Sequence, residues 1–123
     1  MARRIDHPRR GEVWLVKFDP AIGSEIQKSR PALVIQNDIG NRVSDITIVG
    51  AITSTIKRSY PFQVQLPAGE GGISKDSVVT LNQIRAIDRR RLTRRLGAVS
   101  EATMKAVDQA LVVSLGIDVD NAN

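Results

Sequence analysis

Arg30-Pro31-Ala32-Leu33-Val34-Ile35-Gln36, followed after a polar link by Asp45-Ile46-Thr47-Ile48-Val49-Gly50-Ala51-Ile52-Thr53, is the stretch that decides the fold. Both runs are short and apolar, and turn chemistry bounds them, which is the pattern of strands in a small all-β core. Pro31 stands at the entrance of the first run, where a missing N–H is tolerated. In the second run, Ile46, Ile48 and Gly50 are expected to share one face. Between the runs, Gln36-Asn37-Asp38-Ile39-Gly40-Asn41-Arg42 is a turn-rich link. An arginine thus opens one strand, and the hydroxyls of Thr53 and Ser54 close the next.

The same reading extends outward. Gly11 to Asp19 predicts a first strand, nearly continuous in apolar residues from Val13 to Phe18 and stopped by Pro20. Ala21 to Ser29 is a polar, glycine-containing loop. Ser54 to Tyr60 is a second loop, carrying Lys57 and Arg58. Pro61 to Leu66 predicts a short strand, and Pro67 to Gly72 is dense in turn residues. Ser77 to Ile87 is the longest strand candidate, and its mixed apolar and amide content suggests that it leaves the core partway along. One long helix is expected from Ser100, a good N-cap, with Val99 placed to staple against Met104. Met104, Val107, Leu111 and Leu115 recur at helical spacing, and Gly116 is a natural stop. Many short strands with one late helix predict a mainly β fold, a small, strongly curved barrel with a C-terminal helix packed on it.

The chain has 123 residues, room for a single core. Residues 1–10 are expected to form a flexible basic arm, 11–116 one domain, and 117–123 a frayed tail. The formal charge is +5 and unevenly placed. Arg3, Arg4, Arg9 and Arg10 stand against Asp6 in the first ten residues. Arg85, Arg89, Arg90, Arg91, Arg94 and Arg95 stand against Asp88 alone in residues 85–95. From Leu96 onward, Lys105 faces Glu101, Asp108, Asp118 and Asp120. A basic body joined to a mildly acidic tail points to a polyanion or an acidic protein as partner. Cysteine is absent, and the one histidine, His7, lies in an Arg/Pro-rich leader, which excludes disulfides and most zinc chemistry. No apolar run is long enough for a membrane span and no secretory signal is visible, so the cytoplasm is the expected location.

With no histidine pair, phosphodiester chemistry here must use arginine, hydroxyl and carboxylate groups. Arg30 presents planar paired donors that match phosphate oxygens. It serves equally as a surface arginine capping a strand, and on its residue type alone the two readings stand level. Thr53 can hydrogen-bond a non-bridging phosphate oxygen, or simply be a β-branched residue at a strand end. Glu25, in the loop Gly23-Ser24-Glu25, can accept a proton from a hydroxyl, or be a solvated loop carboxylate. Gln83, beside Asn82 in mid-strand, can read base edges or satisfy backbone groups. The arginine run 89–91 with Arg94 and Arg95 can contact phosphates, although such a run is more often a solvated face. Aromatic residues are few. Trp14 and Phe62 are expected in the core, and Tyr60, beside Lys57 and Arg58, is the one ring placed to stack on a base.

Taken in order, Gly23-Ser24-Glu25, Arg30-Pro31 through Ile35, Ile48 through Ser54, Asp76-Ser77-Val78-Val79, Leu81 through Arg85, Ile87-Asp88, Arg91-Leu92 and the last helix to Gly116 resemble the MazF/PemK (Kid-like) toxins of bacterial toxin–antitoxin pairs. The resemblance covers about Arg10 to Gly116. It implies the SH3-like barrel of the MazF and CcdB toxins. It also implies a sequence-specific, metal-independent endoribonuclease, with no cofactor, that cuts single-stranded RNA to 2′,3′-cyclic phosphate and 5′-hydroxyl ends. Arg30, assisted by Thr53, would then be catalytic, with Glu25 the acidic residue tied to activity. Ser24, Ser54, Thr55, Lys57, Arg58 and Gln83 would contact RNA. The implied partners are a second copy of the chain and a cognate antitoxin with an acidic, partly disordered segment. The competing expectation on the same barrel is a CcdB-like, non-enzymatic inhibitor of DNA gyrase.

Overall fold

A computed structural model describes residues 7–18, 29–54 and 58–119. Its elements run β1 (Glu12–Lys17), β2 (Ser29–Val34), α1 (Asp38–Val43), β3 (Ile46–Thr53), β4 (Gln63–Leu66), β5 (Ser77–Asp88), β6 (Leu92–Ala98) and α2 (Glu101–Leu115). Short 3₁₀ turns at Glu70–Gly72 and Arg89–Arg91 flank β5. The strands form one antiparallel sheet in the order β4-β5-β3-β2-β1-β6, curled into a half-barrel with α2 on its inner side.

The sheet is apolar on both faces, so its strands read as nearly continuous hydrophobic runs rather than a clean alternation. On the inner face Val13, Leu33, Ile52, Leu66, Val79 and Leu81 meet Val107 and Ala110 of α2. On the other face Val16, Ala32, Val34, Val49 and Ile87 form a second cluster, edged by Trp14, Phe18 and Leu92. In β3 the buried residues are Thr47, Val49, Gly50 and Ile52; of Ile46, Ile48 and Gly50, expected on one face, only Gly50 is buried, and Ile46 is 41% exposed. Phe62 is not in the core either: it lies against Tyr60, ring centroids 5.1 Å apart and nearly parallel.

Helix α2 has the expected caps. The Ser100 hydroxyl accepts from the Thr103 N–H, and Gly116 takes the left-handed conformation (φ 67°) in which the last carbonyls are satisfied. Val99 and Met104 both pack against the inner cluster, as does Leu111. The apolar stripe runs past the end of its support, however, and Leu115 is 55% exposed.

Two elements stand where the sequence pattern indicated none. The turn-rich link holds α1, capped by the Asn37 side chain on the Gly40 N–H. A buried amide stabilises it: Asn41 Oδ1 accepts from Gln36 Nε2 and Thr47 Oγ1, and its Nδ2 donates to the Gln36 carbonyl and to Asp38. Six residues are too few to hold a helix without such tertiary bonds. Beyond the second 3₁₀ turn, β6 pairs with β1 as an edge strand. The Glu70–Gly72 turn then closes down on β6. A Cβ at Gly97 would come within 2.8 Å of the Gly71 carbonyl carbon, so this approach of two backbones requires glycine.

Residues 7–10, expected to belong to a basic arm, make contacts with the fold. Pro8 is buried, the Arg10 side chain donates to the Ile35 carbonyl and to Asp108, and its N–H bonds to Asp38. Asp38 titrates below its ordinary value of 3.8. Burial pushes it up, but the hydrogen bonds from Arg10 and Asn41 and the charges of His7 and Arg9 outweigh that push.

Candidate active site

Where β2 begins and β3 ends, the sheet has a lip. The paired residues Ala32↔Ala51, Leu33↔Gly50 and Val34↔Val49 set the register. Continuing it two residues outward puts Arg30 opposite Thr53, on the same face, because side chains alternate along a strand. Arg30 is exposed and Thr53 half-exposed. Two hollows meet at this pair, and Arg30, Pro31, Ile52 and Thr53 line both.

The larger hollow has a volume of about 710 Å³. Its floor is Val49, Ala51 and Ile84, and its walls carry Gln63, Thr80 and Gln83. Phe18, Tyr60, Arg58 and Arg85 form the rim, with the Arg85 guanidinium 5.0 Å from the Phe18 ring centroid and that of Arg58 6.0 Å from Tyr60. Gln83 reaches this position through an irregularity in β5. Gly50 pairs with Ile84 but Ala51 with Thr80, so Leu81, Asn82 and Gln83 are extra residues facing no partner on β3. Such bulges bend a strand and re-aim its side chains, which is how the longest strand leaves the core partway along.

The smaller hollow, about 460 Å³, lies toward β6. One cross-strand row underlies it: Arg94 pairs with Leu15, Leu15 with Pro31, and Ile52 follows on β3. Ser54, Ser74, Ser77 and Lys75 complete its polar surface. Among the described residues no carboxylate lines either hollow, and none form a cluster of three or more groups that could hold a metal ion. The carboxylates whose titration is shifted lie elsewhere. Glu70 is held below its ordinary value by hydrogen bonds from the Ser100 N–H and the Thr103 hydroxyl, and Asp88 by Arg90.

Of the residues singled out in the sequence, the structure thus gathers Arg30, Thr53, Ser54, Arg58, Gln83 and Tyr60 around one lip. Ser24, Glu25, Thr55 and Lys57 lie outside the described residues. The arginine run is mostly committed to the fold. Arg89 donates to the Ser44 carbonyl, Arg91 to those of Lys17 and Phe18, and Arg95 to Glu12, whose other oxygen binds Trp14. Of that run, Arg94 is the member among the described lining residues of these two hollows. Sequence reasoning passed over Gln63, Arg85 and Lys75. Arg85 follows Gln83 by two and so shares its face, a signal the sequence did carry; Gln63 arrives only through the pairing of β4 with β5, and Lys75 through the loop before β5.

A curled antiparallel half-barrel packed on a C-terminal helix, with arginines and hydroxyls gathered at one lip, defines a small β-barrel protein. The PemK-like, MazF-like toxins of type II toxin–antitoxin systems match over residues 9–115, and the chain belongs to that family. It is 44% identical over 110 residues to Endoribonuclease EndoA of Bacillus subtilis (strain 168), covering 89% of this chain and 95% of that protein. Among solved structures it is similar to the MazE–MazF complex (form II) of Deinococcus radiodurans, with a TM-score of 0.76 and 31% identity over 90% of this chain and 97% of that one. It is also similar to a mycobacterial endoribonuclease in complex with its cognate antitoxin, with a TM-score of 0.74 and 25% identity over 91% and 98% of the two chains.

Proposed function

We propose that this chain, as an endoribonuclease toxin of the MazF/PemK type, cuts single-stranded RNA at selected sequences without a metal ion. The observation that carries the reading is the placement of Arg30 and Thr53 side by side at an open lip between two hollows. The ribose 2′-hydroxyl attacks the adjacent phosphorus, and the bond to the 5′-oxygen breaks, leaving a 2′,3′-cyclic phosphate and a 5′-hydroxyl. Arg30 stabilises the charge on the phosphorane oxygens and aids protonation of the leaving oxygen, and Thr53 bonds a non-bridging oxygen. A guanidinium does not readily give up its proton, and no described carboxylate lines the hollows. Glu25 is the group assigned to accept the 2′-hydroxyl proton. Ser24, Ser54, Thr55, Lys57, Arg58 and Gln83 hold the strand on either side.

The gyrase-directed alternative is set aside, since the matched family and the EndoA relative are of the RNA-cleaving kind. The protein works as a homodimer. Two exposed apolar patches, Ile39, Val43 and Ile46 on one side and Val113, Leu115 and Ile117 on another, offer surface for a second copy. A cognate antitoxin occupies the cleft with an acidic, partly disordered segment, which suits a rim carrying Arg30, Arg58 and Arg85. No helix among the described residues is long and apolar enough to cross a membrane, and the protein acts in the cytoplasm. Incubation of purified protein with an RNA library in EDTA should give cuts at a defined sequence, with cyclic phosphate and 5′-hydroxyl ends. Cutting that requires an added divalent metal, or that leaves 5′-phosphates, would overturn the mechanism.

A further inference from the structure

The two hollows differ in chemistry, and the difference has a consequence for how RNA is read. Among the described lining residues, aromatic rings (Phe18, Tyr60) and carboxamides (Gln63, Gln83) occur only in the larger one. Among its described lining residues, the smaller one has neither; its polar groups are hydroxyls and cations, Ser54, Ser74, Ser77, Lys75 and Arg94 beside the shared Arg30 and Thr53. Bases in single-stranded RNA are selected by stacking on rings and by donors and acceptors of fixed direction on their edges. Phosphates are held by cations and hydroxyls without regard to sequence.

We propose that recognition is divided at the cleaved bond: the larger hollow selects a base on one side of it, with Gln63 as a specificity residue, and the smaller hollow holds the backbone on the other side through Lys75 and Arg94. This rests on the ribonuclease reading above and goes beyond it. Gln63 carries the argument because its polarity is fixed. Its Oε1 accepts from the Tyr60 N–H at 3.2 Å, which assigns Nε2 as the outward donor, and Nε2 has no partner among the described residues. A half-buried amide held this way selects a base edge that presents an acceptor. The volume of about 710 Å³ gives room for a base beside the lip. Lys75 and Arg94 come from different strands and loops, yet both line the smaller hollow, and neither forms an ion pair with a described carboxylate.

The experiment sequences the 5′ ends of RNA cut from a random library by the wild type, by Gln63→Glu, and by the double variant Lys75→Ala/Arg94→Ala. Gln63→Glu keeps the oxygen that accepts from Tyr60 but replaces the donor by an acceptor. It should lower discrimination about tenfold at one nucleotide on one side of the cut, with preference moving toward a donor edge. The double variant should leave the sequence profile as it is. Its binding to the cleaved sequence carrying 2′-deoxyribose at the scissile position should weaken equally for matched and mismatched flanks. The slope of log affinity against log salt should fall by about 0.7 for each charge removed. An unchanged profile for a folded Gln63→Glu, or a uniform loss of cutting over all sequences, overturns the division of labour, as does a profile altered by the double variant. A wild type that cuts no RNA defeats the ribonuclease reading itself.

Discussion

Two groups of arginines contribute to the basic character of this chain, and the fold uses them in opposite ways. Arg89, Arg91 and Arg95, close together in sequence, are turned onto carbonyls and onto Glu12. Arg30, Arg58, Arg85 and Arg94, scattered along 65 residues of sequence positions from 30 to 94, converge on the hollows beside the lip. On the proposed function, a dense run of charge is a poor guide to where a polyanion binds. What matters is whether the guanidinium still has donors to offer once the backbone has been satisfied.

The sharpest way to break this comparison is Arg30→Ala. Removing a charged donor aimed at a developing anion costs about 10²- to 10³-fold in rate, while an exposed strand-end side chain contributes little to folding. Single-turnover cleavage should collapse and the thermal midpoint should hold. Normal cutting by this variant would return Arg30 to the role of a strand cap. Arg89→Met tests the opposite group. The Arg89 guanidinium donates to the Ser44 carbonyl at 3.1 Å and, more weakly, to that of Asn41 at 3.4 Å, at the C-terminal end of α1. Hydrogen bonds to a charged donor contribute about 1.5–3 kcal/mol, so urea denaturation should show a loss of that order. Cleavage per folded molecule should remain; a drop in rate at full stability would mean that the run contacts RNA after all.

How far this division could be read in advance follows from which contacts are local. Strands β1 to β5 announce themselves by short apolar runs between Gly and Pro, and α2 by Ser100, its apolar spacing and Gly116. Arg30 and Thr53 were legible as strand ends, and the family resemblance joined them. Strand β6 was not legible, because an edge strand with Arg94 and Arg95 exposed lacks a buried face of its own. Helix α1 was hidden for a different reason: Gly40 and Asn41 read as turn residues, and only the bonds of Asn41 to Gln36 and Thr47 make them helical. Likewise Gln63 reaches the site through the β4–β5 register and Lys75 through the loop before β5, which no local pattern encodes. Leu115 and Ile46 err the other way, apolar and periodic but beyond the reach of the core.

Arg10 belongs with the structural arginines, and its neighbour Asp38 gives that group a pH signature of smaller size. The carboxyl of Asp38 is lowered on folding, so its contribution to stability is present above the unfolded value near 3.8 and is lost as pH falls through the folded value. Asp38→Asn should be less stable than the wild type at pH 7. The gap between the two should narrow as denaturation curves are taken below pH 3.8. A gap that persists unchanged into acid would mean that shape, not charge, holds the Arg10 tether.

The least effect is expected at Arg90, and for an informative reason. It sits in the middle of the arginine run, yet among the described residues it neither reaches a carbonyl of another element nor lines either of the two hollows. Among the described residues its ion pair is with Asp88 two residues away, across 3.0 Å, with the arginine side chain 89% exposed. Solvent and salt screen such a pair, and its side chains lose entropy in holding it. The local bond that starts the 3₁₀ turn is made by the Arg90 N–H to Asp88, which any residue but proline would keep. Arg90→Ala should therefore leave the denaturation midpoint, the cleavage rate and the salt dependence of RNA binding where they are. A reduced salt slope in this variant would show the run to be part of the RNA track, and the contrast between the two groups of arginines would fail at its centre.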